Sequence, residues 1–124
     1  MKRVIPLAAI AILGLAGCSG GVQAPSEQGV CYHMVQFAGG KTRFNVLAQN
    51  IPSLEACAAQ LEVMRLRFAA LGSSPEQMIG AYQGQFLFLQ PEGIFTGDSL
   101  DGPHYLLLVR ADGKLVKPGV LPVQ

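Results

Sequence analysis

Ser53-Leu54-Glu55-Ala56-Cys57-Ala58-Ala59-Gln60-Leu61-Glu62-Val63-Met64-Arg65-Leu66-Arg67-Phe68-Ala69-Ala70-Leu71-Gly72 is the stretch on which the fold turns. Ser53 can accept a hydrogen bond from a free N–H of a first helical turn, and Gly72 suits the residue just past a helix end. Between them the residues are good helix formers without proline, so a helix is expected over 54–71. Leu54, Cys57, Ala58, Leu61, Met64, Phe68 and Leu71 recur at steps of three and four, which places them on one stripe. A lone long helix with one apolar stripe needs a sheet to cover that stripe. Ala56, Ala59, Val63, Leu66 and Ala70 form a second, thinner stripe, set apart by Glu55, Glu62 and Arg65 on one side and Gln60 and Arg67 on the other. Two readings of it stay open. It is a solvent-exposed set of helix formers, or a face that a loop, a second protomer or a partner helix covers.

Strand patterns flank the helix on both sides. Upstream, Val30–Phe37 alternates, with Cys31, His33, Val35 and Phe37 on one face and Tyr32, Met34 and Gln36 on the other. Ala38-Gly39-Gly40-Lys41 is a turn, and Thr42–Gln49 is a second strand, paired with the first as a hairpin. Asn50-Ile51-Pro52 ends it, since proline cannot donate to a ladder. Downstream, Ser74 and Pro75 read as the start of a helix of one or two turns, cut short by Gly80. Ala81–Gln90 is a strand, Pro91–Pro103 a long loop with an extended piece at Ile94-Phe95, and His104–Ala111 another strand. Asp112-Gly113 makes a tight turn into an edge strand, Lys114–Lys117, and Pro118 and Pro122 mark a tail. The expected architecture is α+β: a single antiparallel sheet of about five strands, β-β-α-β-β-β, with one long helix packed on one face.

The chain start carries an address. Met1-Lys2-Arg3 is a positive head, and Val4 to Leu15 is uncharged and too short to span a bilayer, which takes about 20 apolar residues. Leu15-Ala16-Gly17-Cys18 follows. That order is a secretory signal, and its ending resembles the lipobox of bacterial prolipoproteins. The resemblance implies a signal peptide over 1–17, cleavage before Cys18, and acyl chains on the Cys18 thiol and amine. One acyl chain holds a bilayer reversibly, whereas two or more anchor stably. Ser19, by the same family analogy, implies the outer membrane facing the periplasm rather than the inner membrane. Residues 18–29 are then the lipidated cysteine and a Gly- and Ser-rich flexible tether, and 30–124 a small α+β domain.

With Cys18 acylated, Cys31 and Cys57 remain as an even pair in an oxidising compartment. A Cys31–Cys57 disulfide is expected, and the place of Cys57 on the apolar stripe supports it. Two buried thiols, or a redox or metal pair, are the competing readings. No CxxC or HxxxH spacing brings His33 or His104 into a metal set, so no metal and no cofactor are expected.

Nine Lys and Arg stand against eight Asp and Glu, and Lys2 and Arg3 leave with the leader. A nearly neutral domain gives no basic face for nucleic acid. His33, among apolar neighbours, reads as a core or cross-strand residue. Tyr82-Gln83-Gly84-Gln85 offers an aromatic and amide surface of the kind that glycans stack on.

Gly97-Asp98-Ser99-Leu100 resembles the GDSL signature of a hydrolase family whose serine is the nucleophile, and Asp101-Gly102-Pro103-His104 spells that family's Asp-x-x-His. In that family the two blocks lie at opposite ends of a doubly wound fold. Here only five residues separate Ser99 from His104. A serine nucleophile also needs an oxyanion hole converging on the same point. These residues read more simply as a loop, and a small hydrolase using Ser99 and His104 stands as the alternative.

The domain resembles short exported lipoproteins of Gram-negative bacteria, a likeness that implies no activity. Tyr32 to Gln36 and Ala58 to Leu61 are also similar to the first βα half of the peptidoglycan-binding sporulation-related repeat, which implies a cell-wall partner. The expected function is a non-enzymatic, lipid-anchored binding or envelope-assembly module. Its partners are the membrane through Cys18 and an envelope protein or the cell wall, with Val63 and Leu66 as a partner-facing stripe.

Overall fold

The computed structural model describes residues 21–73 and 77–119. The leader, Cys18, Ser19, the Ser74-Pro75 helix start and Pro122 lie outside them.

A seven-stranded sheet carries one helix. In chain order the elements are β1 (Cys31–Gln36), β2 (Thr42–Ala48), α1 (Leu54–Ala70), β3 (Met78–Tyr82), β4 (Gln85–Gln90), β5 (Gly93–Gly97), β6 (Tyr105–Ala111) and β7 (Lys114–Val116). The spatial order is β2-β1-β3-β4-β5-β6-β7, and every neighbouring pair is antiparallel. β1 lies between β2 and β3, so those two run in the same direction and α1 is the crossover that joins them.

The α+β class and the single antiparallel sheet are as the sequence pattern implies, but the strand number is seven rather than about five. Two features account for the difference. The expected Ala81–Gln90 strand is two strands, folded at Gln83 (φ 46°) and Gly84 (φ 86°). Those angles make a two-residue turn of the I′ kind, for which glycine is well suited at the second position. Met78 and Ile79 already belong to β3, so Gly80 ends no helix and sits inside a strand. The second feature is β5: the extended piece expected at Ile94-Phe95 is a full strand paired on both sides.

The helix forms where its sequence places it. Ser53 is extended (φ −154°, ψ 163°), and its Oγ accepts from the Ala56 N–H at 3.1 Å. At the other end Gly72 N donates to Ala69 O at 3.0 Å and Ser73 N to Phe68 O at 2.8 Å, the paired bonds of a Schellman stop. Cys57, Ala58 and Leu61 are fully buried against the sheet, with Leu54, Met64 and Phe68 packed at the margin. Leu71, expected on the same stripe, is the C-cap residue just after the helix and is 83% exposed.

Each sheet face has its own core. The helix side gathers Cys31, Tyr82, Leu87, Leu89, Ile94 and Leu108 beneath α1. The opposite side gathers Met34, Phe86 and Phe88, with Phe44, Ile79, Phe95, Ala24 and Leu100 around them. Thus β4 is apolar on both faces, as a central strand should be. Two bulges enlarge the helix-side core. The register of β1 against β2 passes from Cys31↔Ala48 to Tyr32↔Val46, leaving Leu47 extra. The register of β5 against β6 passes from Ile94↔Leu108 to Phe95↔Leu106, leaving Leu107 extra. Strict alternation would send neighbouring residues to opposite faces; at these bulges Leu47 with Ala48, and Leu107 with Leu108, all reach the helix-side core.

The Cys31–Cys57 disulfide staples β1 to α1, with Cα atoms 5.3 Å apart and both cysteines fully buried. Among the described residues no helix is long and apolar enough to cross a membrane.

Candidate functional site

The sheet face away from α1 is covered by chain rather than by secondary structure. Gly84 N donates to Pro25 O at 2.8 Å, and Gly29 N donates to Gln83 Oε1 at 2.7 Å. Ala24 packs among Met34, Phe86 and Phe88, and the Tyr32 hydroxyl donates to Glu27. This hydrogen bond to a carboxylate, with burial, holds the Tyr32 phenol above its ordinary pKa. Residues 24–29, expected to be part of a free tether, therefore lie along the domain as a strap.

Between the strap and the loop after β5 is an open cleft of about 840 Å³, walled by Val22, Gln23 and Ser26 on one side and by Asp98, Ser99 and Asp101 on the other. The loop is fixed by its own hydrogen bonds. Ser99 Oγ accepts from Gly102 N at 2.9 Å. Asp98 accepts from the Gln85 amide at 3.0 Å, and the Gln85 carbonyl oxygen accepts from Thr96 Oγ1 at 2.9 Å. The His104 ring stacks on Phe88 with centroids 3.7 Å apart, and its Nε2 faces Leu100 O at 3.2 Å. A carbonyl oxygen only accepts, so Nε2 is the donor. Ser99 and His104 thus sit on one loop, and the hydrogen bonds formed there run from each to backbone rather than to each other.

The other sequence-marked residues fall apart in space. His33 is half-buried beside the Phe68 ring of α1, and burial lowers its pKa, favouring the neutral imidazole. Tyr82 is buried with its hydroxyl on Ile51 O, and the Gln83 side chain holds the strap, so the aromatic and amide groups that this stretch could offer a glycan are engaged in internal contacts. Val63 and Leu66 lie on the outer face of α1, 48% and 53% exposed. Among the described residues no cluster of three or more His, Cys, Asp or Glu could hold a metal ion.

By sequence Glu62 and Arg65 are charged separators of two stripes, and nothing local marks Arg110. The structure joins them. Arg65 donates to Glu62 from Nε at 2.9 Å and Nη2 at 2.8 Å. Arg110, on β6, donates from Nε at 2.8 Å and Nη2 at 2.9 Å, and its Nη1 donates to Gln90 O at 2.6 Å. Two guanidinium forks thus close on one carboxylate that is only 9% exposed. Desolvation pushes the Glu62 pKa up, but the hydrogen bonds and charges of Arg65 and Arg110 outweigh it and hold it down at about 2. The partner on β6 is 48 residues away, so no local spacing signalled it.

Comparisons with protein-family models, curated proteins and solved structures found no match.

Proposed function

We propose that the chain is a lipid-anchored envelope module, held at the outer membrane through Cys18, that binds a partner in the periplasm without catalysing a reaction. The observation that carries this reading is the order Lys2-Arg3, the apolar run to Leu15, and Leu15-Ala16-Gly17-Cys18. The buried Cys31–Cys57 disulfide fits an oxidising compartment. The exposed Val63 and Leu66 offer a contact face on the outer side of α1.

Crosslinking of the chain in intact cells, followed by capture and mass spectrometry, tests the reading. A stoichiometric envelope protein or wall fragment is expected, with recovery reduced by Val63→Asp or Leu66→Asp. Recovery of neither would overturn the binding role. A mature chain that does not begin at an acylated Cys18 would overturn the anchor.

A further inference from the structure

We infer that the strap seats the domain on the lipid surface in one orientation, with the loop after β5 and the Gln83-Gly84 turn toward the bilayer and α1 away from it. The inference rests on the reading of Cys18 as the lipidated residue.

Chain length is the core of the argument. A free segment of eleven residues after Cys18 would span about 18 Å on average and leave the domain to tumble. The strap removes most of that freedom. Pro25 is fixed to Gly84, Gly29 to Gln83, and Ala24 is packed into the aromatic cluster of the sheet. Gly21 already lines the cleft. Three residue steps join Gly21 to Cys18, and even full extension covers only about 11 Å. Acyl chains on Cys18 therefore enter the bilayer within about 11 Å of the cleft wall, and the surface around the cleft must meet the headgroups.

The chemistry of that surface suits the headgroup layer. Asp98 and Asp101 are exposed charges that the hydrocarbon would reject. They hold the loop at headgroup depth, while Val22 presents an apolar side chain beside it. The strap and α1 pack on opposite faces of the sheet, so Val63 and Leu66, on the outer face of α1, lie on the far side of the sheet from the strap. That leaves the outer face of α1 open to a periplasmic partner.

The chain has no tryptophan, so a single introduced indole reports its own depth. Full chains carrying Ser99→Trp, Asp101→Trp or Val63→Trp, produced with their acyl chains, are placed in zwitterionic phosphatidylcholine vesicles doped with a headgroup-spin-labelled phosphatidylcholine. Circular dichroism establishes that each variant is folded, and mass spectrometry that Cys18 is acylated. Quenching several-fold stronger at positions 99 and 101 than at 63 is expected. Adding Ala24→Asp and Gln83→Ala, which unseat the strap, should bring the three positions together. Equal quenching in acylated chains with an intact strap would overturn the orientation and leave the lipoprotein reading standing. An unacylated Cys18 would overturn both.

Discussion

Leu61 of α1 occupies the space that Gly80 of β3 leaves by having no side chain. A Cβ at position 80 would stand 2.3 Å from Leu61 Cδ1 and 2.7 Å from the carbonyl oxygen of Tyr32. The leucine can rotate, but the Tyr32 oxygen belongs to the neighbouring strand and cannot yield without loosening the β1–β3 pairing. The helix crosses the sheet at this point because the residue beneath it is glycine. Gly80→Ala is expected to destabilise the domain by about 1–3 kcal/mol, as overpacked cores do. Leu61→Ala should cost about 2–5 kcal/mol through the cavity it opens. The double variant should lose less than the sum, since the added methyl partly fills that cavity. Urea unfolding midpoints of the three variants check this, and strict additivity would contradict the contact.

The disulfide should dominate the resistance of so small a domain to unfolding. It closes a loop between positions 26 residues apart, which corresponds to roughly 3 kcal/mol in the chain-entropy model. Cys31→Ala with Cys57→Ala should lower the urea midpoint accordingly. Both sulfurs are fully buried, so reductant should act slowly on the native protein and quickly in denaturant. Finding two free thiols in unreduced, denatured protein would refute the bridge.

Acid should weaken the tie between α1 and β6. The Glu62 pKa is depressed in the fold, from an ordinary 4.5 to about 2. A depressed carboxylate pKa gives stability that is fully present above pH 4.5 and is lost as pH falls from there toward about 2. Glu62→Gln should cost about 1.5–3 kcal/mol near neutrality. The gap in Tm between wild type and variant should narrow below pH 4.5. Arg110→Met should be costlier than Arg65→Met, because Arg110 joins distant elements whereas Arg65 joins residues one helical turn apart. A gap that stays constant from pH 6 to pH 3 would show that the carboxylate charge is not what holds the pair.

Ser99 should matter to its turn and not to bond cleavage. Its Oγ caps the Gly102 N–H, so Ser99→Ala should cost about 0.5–1.5 kcal/mol. Hydrolysis of activated esters by purified protein should not depend on Ser99. A clear loss of turnover in Ser99→Ala would instead support the hydrolase reading.

How far the fold could be read in advance differs from element to element. The helix was legible because its start, stop and stripe are local: Ser53, Gly72 and the three- and four-residue spacing act within a turn or two of one another. The β1 alternation was legible too, and Cys31 and Met34 do lie in different cores. The Gln83-Gly84 turn is hard to read because the polar break Gln83-Gly84-Gln85 is only three residues long and glutamine is a weaker turn signal than asparagine or aspartate. The bulges at Leu47 and Leu107 were invisible, since an extra residue in a ladder is defined by the partner strand. The strap reads as tether by sequence because Ala24 and Pro25 have no periodicity of their own; the hydrogen bonds that fix Pro25 and Gly29 go to Gly84 and Gln83, more than fifty positions on.

The sequence by itself determined the single long helix and the α+β class, and it left Cys31 and Cys57 as the expected pair. Each rests on hydrophobic pattern, capping chemistry or the parity of a few sulfurs, all of which operate within the chain's own order. Tertiary structure alone decided that the sheet has seven strands and two cores, that Leu61 rides on Gly80, that Glu62 is gripped from both sides, and that residues 24–29 lie against the sheet. These depend on which distant atoms meet once apolar surface leaves water, and neither spacing nor composition encodes that meeting directly.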